Sequence, residues 1–323
     1  MKKNSGIFLI KALLISASVT ALALIAGCTS GFAEPFDINN IYFNYNTVSD
    51  SDGKYIVITK HIVSQSDVNI PDTIYGIPVK EVAESAFAGD SRIKTVNFGK
   101  NMRRVGNNAF GSCTNLQTVT FNVSMSDIGE YAFQECTSLQ SIALPEMTES
   151  IGRGAFYNCG QLSEISVPQG IESIGGRAFV GTPWLKSRSN DKMVIVGDGI
   201  LIAYNGSNVE LTLPDSVRCI SGAFAGNTAL QEVTLKNGIT SIGDMAFMGC
   251  GSLKEINIPS TVTEIGGSAF YGCSSVKKLV IPESVQSIGD GAFTDCRAAL
   301  FVKEGSYAEK YCAENGLDCF LSK

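Results

Sequence analysis

The dipeptide Ala-Phe recurs along this chain at a fixed interval, and no other feature restricts the fold as strongly. Phe87, Phe110, Phe133, Phe156 and Phe179 lie 23 residues apart, as do Phe224, Phe247, Phe270 and Phe293; one step of 45 separates the two sets. Aligned on the phenylalanine, the unit reads I-G-x-x-A-F-x-x-C-x-x-L-x-x-I-x-I-P-x-x-V-x-x, as in residues 265–287. A period of this length marks a solenoid, in which each unit buries its apolar edge only against its neighbours.

Spacing assigns a role to each position. Phe, Cys, Leu and Ile fall three apart, the period of a tight 3₁₀-like turn, and the pattern then changes to the alternation of a strand at Ile-x-Ile. Each unit is therefore one turn, one short strand and a return arm. Pro145, Pro168, Pro214, Pro259 and Pro282 follow the strand, where a missing amide hydrogen ends a ladder. Gly129, Gly152, Gly175, Gly243 and Gly289 follow the first Ile, where the chain must turn and a side chain would obstruct it.

This pattern resembles the BspA-like leucine-rich repeats of bacterial and protist surface proteins, from Val68 to Lys323. The resemblance implies an α/β-type solenoid of mostly β and turn: a curved, right-handed leucine-rich-repeat coil with short parallel strands on its concave side. It also implies surface display and adhesion to a protein partner, of the extracellular-matrix or cell-surface kind.

Residues 1–27 precede that architecture and carry a targeting pattern. Lys2, Lys3 and Lys11 lead an uncharged run, Ala12 to Ala26, the layout of a secretory signal and short for a membrane span. The run closes on Ile25-Ala26-Gly27-Cys28, which resembles the bacterial lipobox, and this implies acylation of Cys28 after cleavage and a membrane contact through lipid. Cleavage there removes three lysines and no acid, leaving 22 basic against 31 acidic residues, a balance of −9. The organisation expected is a lipoprotein signal over 1–27, a tether and cap over 28–78, the solenoid over 79–303 and a capping helix within 304–323.

The 45-residue step contains a variant unit, 184–208, without the Ala-Phe turn. Met193–Val196 and Ile200–Tyr204 flank Gly197-Asp198-Gly199 and predict a β-hairpin. It is either a projecting contact site or a variant rung that closes the core together with Trp184, the one tryptophan. At the front, Ile41–Phe43 and Tyr55–Ile58 are strand-like and bracket Asp50-Ser-Asp52-Gly53, which departs from a calcium loop and fits a plain turn. At the back, Ser306-Tyr-Ala-Glu309 is a capping box, Tyr307, Ala308, Tyr311 and Cys312 form an apolar stripe, and Gly316 is a stop.

Ten cysteines in an exported chain would ordinarily indicate disulfides. Here Cys113, Cys136 and Cys159 hold one position in successive units, as do Cys250, Cys273 and Cys296, so the columns fit small buried packing residues; Cys312 and Cys319 are the better candidates for a bond. With 25 basic against 31 acidic residues the chain is a poor match for nucleic acid. A single histidine, His61, expected on the surface of the amino-terminal cap, excludes most metal sites and triads. Ser91-Arg-Ile-Lys94 and Ser275-Val-Lys-Lys278 fit Ser-x-x-Lys only by falling on routine repeat positions. No catalytic, cofactor or metal residues are expected, and the chain is not expected to be an enzyme.

What the repeat does display is the outward side of its strand. One outward column runs Thr95, Thr118, Ser141, Glu164, Glu210, Glu232, Glu255, Lys278, and the second runs Asn97, Thr120, Ala143, Ser166, Thr212, Thr234, Asn257, Val280. One end is rich in hydroxyls, the middle is acidic, and no aromatic cluster is expected. Glu210, Glu232 and Glu255 should stand in a row, with Glu164 continuing it across the variant unit and Lys254, Lys277 and Lys278 bounding it. A tethered module that binds a protein partner through this face is the function expected; the alternative is a structural envelope lipoprotein without a dedicated ligand.

Overall fold

The computed structural model describes residues 42–62 and 65–322. Over them the chain coils into a β-solenoid of about 12 turns at the expected 23-residue spacing, with few helices. Cys28 and the signal segment lie outside the described residues.

Each regular rung contributes two strands. The expected one, three residues long, supplies a face ladder: Asp67–Asn69, Thr95–Asn97 and Thr118–Thr120 pair in parallel, as do Ser141–Ala143 with Glu164–Ser166, Glu210–Thr212 with Glu232–Thr234 and Glu255–Ile256, and Lys278–Val280 with Ala299–Lys303 and Cys319–Ser322. The return arm, read from sequence as a connection, is itself a two-residue strand. Arg104–Val105, Asp127–Ile128, Ser150–Ile151 and Ser173–Ile174 form one parallel ladder, and Cys219–Ile220, Ser241–Ile242, Glu264–Ile265 and Ser287–Ile288 another. Two residues cannot show an alternating period, so these strands were invisible to the pattern.

Between the two strand sets the phenylalanines stack as anticipated. Rings from Phe87 to Phe179, and again from Phe224 to Phe293, are parallel to within 11°, with centroids 4.7–5.8 Å apart. That separation is the rung spacing of a parallel ladder, widened where rings are offset. Five of the six column cysteines are buried beside the rings as free thiols: Cys113, Cys136, Cys159, Cys250 and Cys273 donate to the carbonyl of Phe87, Phe110, Phe133, Phe224 and Phe247, one rung back, over 3.0–3.2 Å, while Cys296 is half-buried. Burial pushes the thiols of Cys113, Cys159 and Cys250 up to about 12, which leaves them as neutral donors.

The I-G glycine is required by close approach. A Cβ at Gly152 would sit 2.4 Å from the Glu130 amide nitrogen, and one at Gly175 2.3 Å from that of Arg153, one rung back. The left-handed residue of the corner comes two positions later and is usually not glycine, as at Asn108, Tyr131 and Arg177.

The variant unit proves to be a rung of the core. Ile200–Tyr204 pairs in parallel with Cys219–Ile220 and antiparallel with Met193–Val196, forming the predicted hairpin. Leu201 is buried opposite Ile220 in the isoleucine column, and Tyr204 packs against Phe224 at 5.2 Å with its ring tilted by 45° and donates its N–H to the Ala223 carbonyl, as Phe156 does to Ala178 and Phe247 to Ala269. Helix α1, Pro183–Lys186, is capped by Thr182 and brings Trp184 against Phe179 at 5.0 Å. Leu201 and Tyr204 are three residues apart where Ile151 and Phe156 are five. The shortened corner lets flanking rungs close over it: Arg153 reaches Asp244 at 3.5 Å, and the Ser221 hydroxyl donates to the Ile174 carbonyl.

Both ends are closed, with three departures from expectation. The front is a hairpin of Phe43–Asp50 and Gly53–His61, whose second strand pairs in parallel with Ile77–Val82, and the face ladder already starts at Asp67. The Asp50 and Asp52 carboxylates of its turn take Lys80 at 2.9 and 3.4 Å. His61 is not a surface residue: its side chain is 6% exposed, with ring centroids 5.8 Å from Phe43 and 5.3 Å from Phe87, so it belongs to the ring stack. At the back, helix α2, Tyr307–Asn315, has the predicted cap: Ser306 accepts from the Glu309 amide and Gly316 is left-handed. Its buried stripe is Ala308, Tyr311 and Cys312, while Tyr307 is exposed. The strand Cys319–Ser322 beyond it adds a final face strand.

Candidate functional site

The outward columns are aligned as the register dictates. Thr95 is opposite Thr118, Ser141 opposite Glu164, and Glu210 opposite Glu232, which is opposite Glu255, because equivalent positions of successive rungs share one parallel ladder. Carboxylates in this row are about 4.8 Å apart at their backbones. All three are exposed, and no ion pair or hydrogen bond to them occurs among the described residues. The nearby Lys254 ammonium is held by the Gln231 amide oxygen at 2.7 Å instead.

The amino-terminal end of the same face contrasts with this row. Asp67 occupies the equivalent column, but its carboxylate accepts from the Thr95 hydroxyl at 2.5 Å and from Ser66 at 2.8 Å, and these bonds hold its pKa below the usual carboxylate value. Asn97 donates to Asn69 at 2.9 Å. This end is internally satisfied.

Glu164 does not continue the acidic row. Its strand pairs only with Ser141–Ala143, because residues 187–189, which stand one period later, follow α1 as a turn and offer no strand to pair with it. Glu164 lines a separate groove of about 510 Å³ with Ser141, Ala143, Ser166, Trp184 and Arg188. The Arg188 guanidinium lies 4.1 Å from the Trp184 ring centroid and donates to the Trp184 carbonyl at 2.8 Å.

At the carboxy-terminal end the structure corrects the expectation of a face without aromatics. The two further strands bring Phe301 and Phe320 into the column of Val280, in register. The two rings stack at 5.3 Å, and the Lys278 ammonium lies 4.6 Å over Phe301. Val280 is 48% and Phe320 53% exposed, so this is an outward apolar strip, in a ladder separate from the acidic row and starting one rung after it. The signal available in the sequence was Ala299–Lys303, a strand-like run lacking the proline that marks the others.

Among the described residues no cluster of three or more acidic, histidine or cysteine side chains could hold a metal ion, and no helix is long and apolar enough to cross a membrane.

Comparison with known proteins agrees with this architecture. The BspA type leucine rich repeat region matches residues 61–196 and 202–308 in six copies. No curated protein matches the chain. Similar solved structures include the T. pallidum leucine rich repeat protein TpLRR, 23% identical over 90% of this chain and 99% of that one, with a TM-score of 0.43. A leucine rich cell surface protein from Faecalibacterium prausnitzii A2-165 is 21% identical over 87% and 97%, with a TM-score of 0.33. The pneumococcal vaccine antigen PcpA is 15% identical over 86% and 99%, with a TM-score of 0.37.

Proposed function

Because this chain belongs to the BspA-type leucine-rich-repeat family, with matches over most of its length, we propose that it is an extracytoplasmic binding module whose face ladder recognises a protein partner. The observation that carries the reading is the row Glu210, Glu232 and Glu255: three exposed, unpartnered like charges in one column, with Lys278 and the Val280, Phe301 and Phe320 strip in a separate ladder that starts on the next rung. Aligned like charges weaken a ladder, so a row without internal counter-charge is supported best by compensation from outside. The partner that fits is a protein segment with clustered lysine or arginine beside an apolar or aromatic residue. Thr95 and Thr118 belong to the satisfied end and contribute hydroxyl contacts at most.

A lysine-rich peptide serves as the probe. Changing Glu210, Glu232 and Glu255 together to glutamine should slow its association several-fold and flatten the salt dependence, since exposed charges act mainly on the on-rate. Equal rates for the two proteins at low and high salt would leave the row a solubility role and favour a structural envelope protein without a dedicated ligand.

Tethering is the second part of the proposal. Cys28 carries the lipid, since the segment before it has the layout of a signal ending in a lipobox-like sequence. Cys28→Ser should move the protein from the membrane to the soluble fraction; retention of a signal-cleaved variant in membranes would contradict the anchor.

A further inference from the structure

We propose that Cys312 and Cys319 are an oxidation site: they close into a disulfide that staples the last face strand to the capping helix. Cys113, Cys136, Cys159, Cys250 and Cys273 each point a thiol at a phenylalanine carbonyl, whereas the Cys312 thiol has that of Cys319 as its neighbour. The backbone holds them there. Cys312 is on the last turn of α2, and its carbonyl accepts from both Gly316 and Leu317, which fixes the turn that leads to Cys319. Cys319 opens the final strand beside Leu300 and packs on the same apolar cluster in which Cys312 is buried.

The two sulfurs differ in access. Cys312 is 2% exposed and burial pushes its thiol up to about 12, whereas Cys319 is half-buried at the open end of the ladder. Cys319 is therefore the sulfur that meets an oxidant. With a disulfide as oxidant, the Cys319 thiolate attacks one oxidant sulfur and expels the other as a thiolate, giving a mixed disulfide. Cys312 then loses its proton to solvent and attacks the Cys319 sulfur, and the second oxidant thiolate leaves. Two protein S–H bonds are exchanged for one S–S bond, and the oxidant gains two electrons and becomes two thiols. In place, such an oxidant is an exported dithiol–disulfide protein; only that source rests on the extracytoplasmic reading.

The bond matters because of where it lies. A solenoid loosens from its ends, and Cys319–Ser322 is held on one side only. The closed loop is short, so its effect is local to the strand and not global.

The test uses the purified full chain, reduced and then exposed to oxidised glutathione. The account expects an intact-mass loss of two hydrogens, a Cys312–Cys319 linked peptide on mapping, and amide exchange in 319–322 slowed by about tenfold or more. Cys312→Ser should accumulate one glutathione on Cys319, because no resolving thiol is left. Both cysteines recovered as free thiols would overturn the proposal, as would a stable glutathione adduct on Cys319 of the unaltered protein or a bridge joining any other pair.

Discussion

Regular rungs and the variant unit 184–208 solve one packing problem with different rings. From Phe87 to Phe179 and from Phe224 to Phe293, the column holds only phenylalanine, and the inner rings of each run are face-stacked on both sides. Where the period breaks, the ring acquires a polar atom. Tyr204 donates its hydroxyl to Asn208 at 2.9 Å, Tyr311 donates to the Gly289 carbonyl at 3.1 Å, Trp184 lies under Arg188, and His61 faces Asp90 at 3.9 Å. Inside a regular stack both ring faces are covered by other rings and a heteroatom would be buried without a partner. At a break, loop backbone and side chains come within reach, so the Tyr204 and Tyr311 hydroxyls find hydrogen-bond partners, while Trp184 and His61 meet a charged side chain without a hydrogen bond from the ring. The periodic column thus carries stability, and the irregular rings join the stack to whatever ends or interrupts it.

The most damaging way to probe that division is to empty a regular site. Phe156, with rings on both sides, has no alternative partner, and Phe156→Ala should destabilise the fold by about 3–5 kcal/mol in chemical denaturation. A near-neutral result would mean that the rungs relax into the space and the column is not a rigid stack.

A smaller effect should appear at the amino-terminal break and depend on pH. Burial lowers the His61 pKa from 6.5; the Asp90 charge opposes this and Arg92 adds to it. The unfolded chain then binds the proton more readily than the folded one, so the stability from neutral His61 is complete above about pH 6.5 and is lost as pH falls through the lower folded value. Asp50, Asp67 and Asp72, depressed below 3.8, titrate below the interval from about pH 6.5 to 5, whereas Glu81, raised by burial above 4.5, titrates toward it and does so equally in a protein without the histidine. Replacing His61 by phenylalanine should flatten stability across that interval; an unchanged slope would remove His61 from the stack.

Much of this was legible in the sequence because a solenoid repeats its instructions. The phenylalanine and cysteine columns, the face strand from Glu232 to Thr234, the hairpin around Gly197 and the cap at Ser306 follow from spacing and local chemistry. What escaped depends on partners that spacing does not name. His61 is buried only because Phe43 and Phe87 bracket it, with a bulge after Asn44 setting the hairpin's register. Glu164 left the acidic row because residues 187–189 became a turn after α1, and Phe301 and Phe320 joined the face because the ladder runs two strands past its last proline.

The central claim is that 184–208 is a core rung with Tyr204 in the phenylalanine position, and amide hydrogen exchange at Tyr204 tests it most directly. Its N–H donates to Ala223 at 3.1 Å, as that of Phe156 does to Ala178 and that of Phe247 to Ala269, both at 2.8 Å. A core rung predicts protection at Tyr204 within about tenfold of those two amides under native conditions. Exchange at Tyr204 as fast as in the adjoining loop at 206–207, with Phe156 and Phe247 still protected, would contradict it and make the hairpin an appendage.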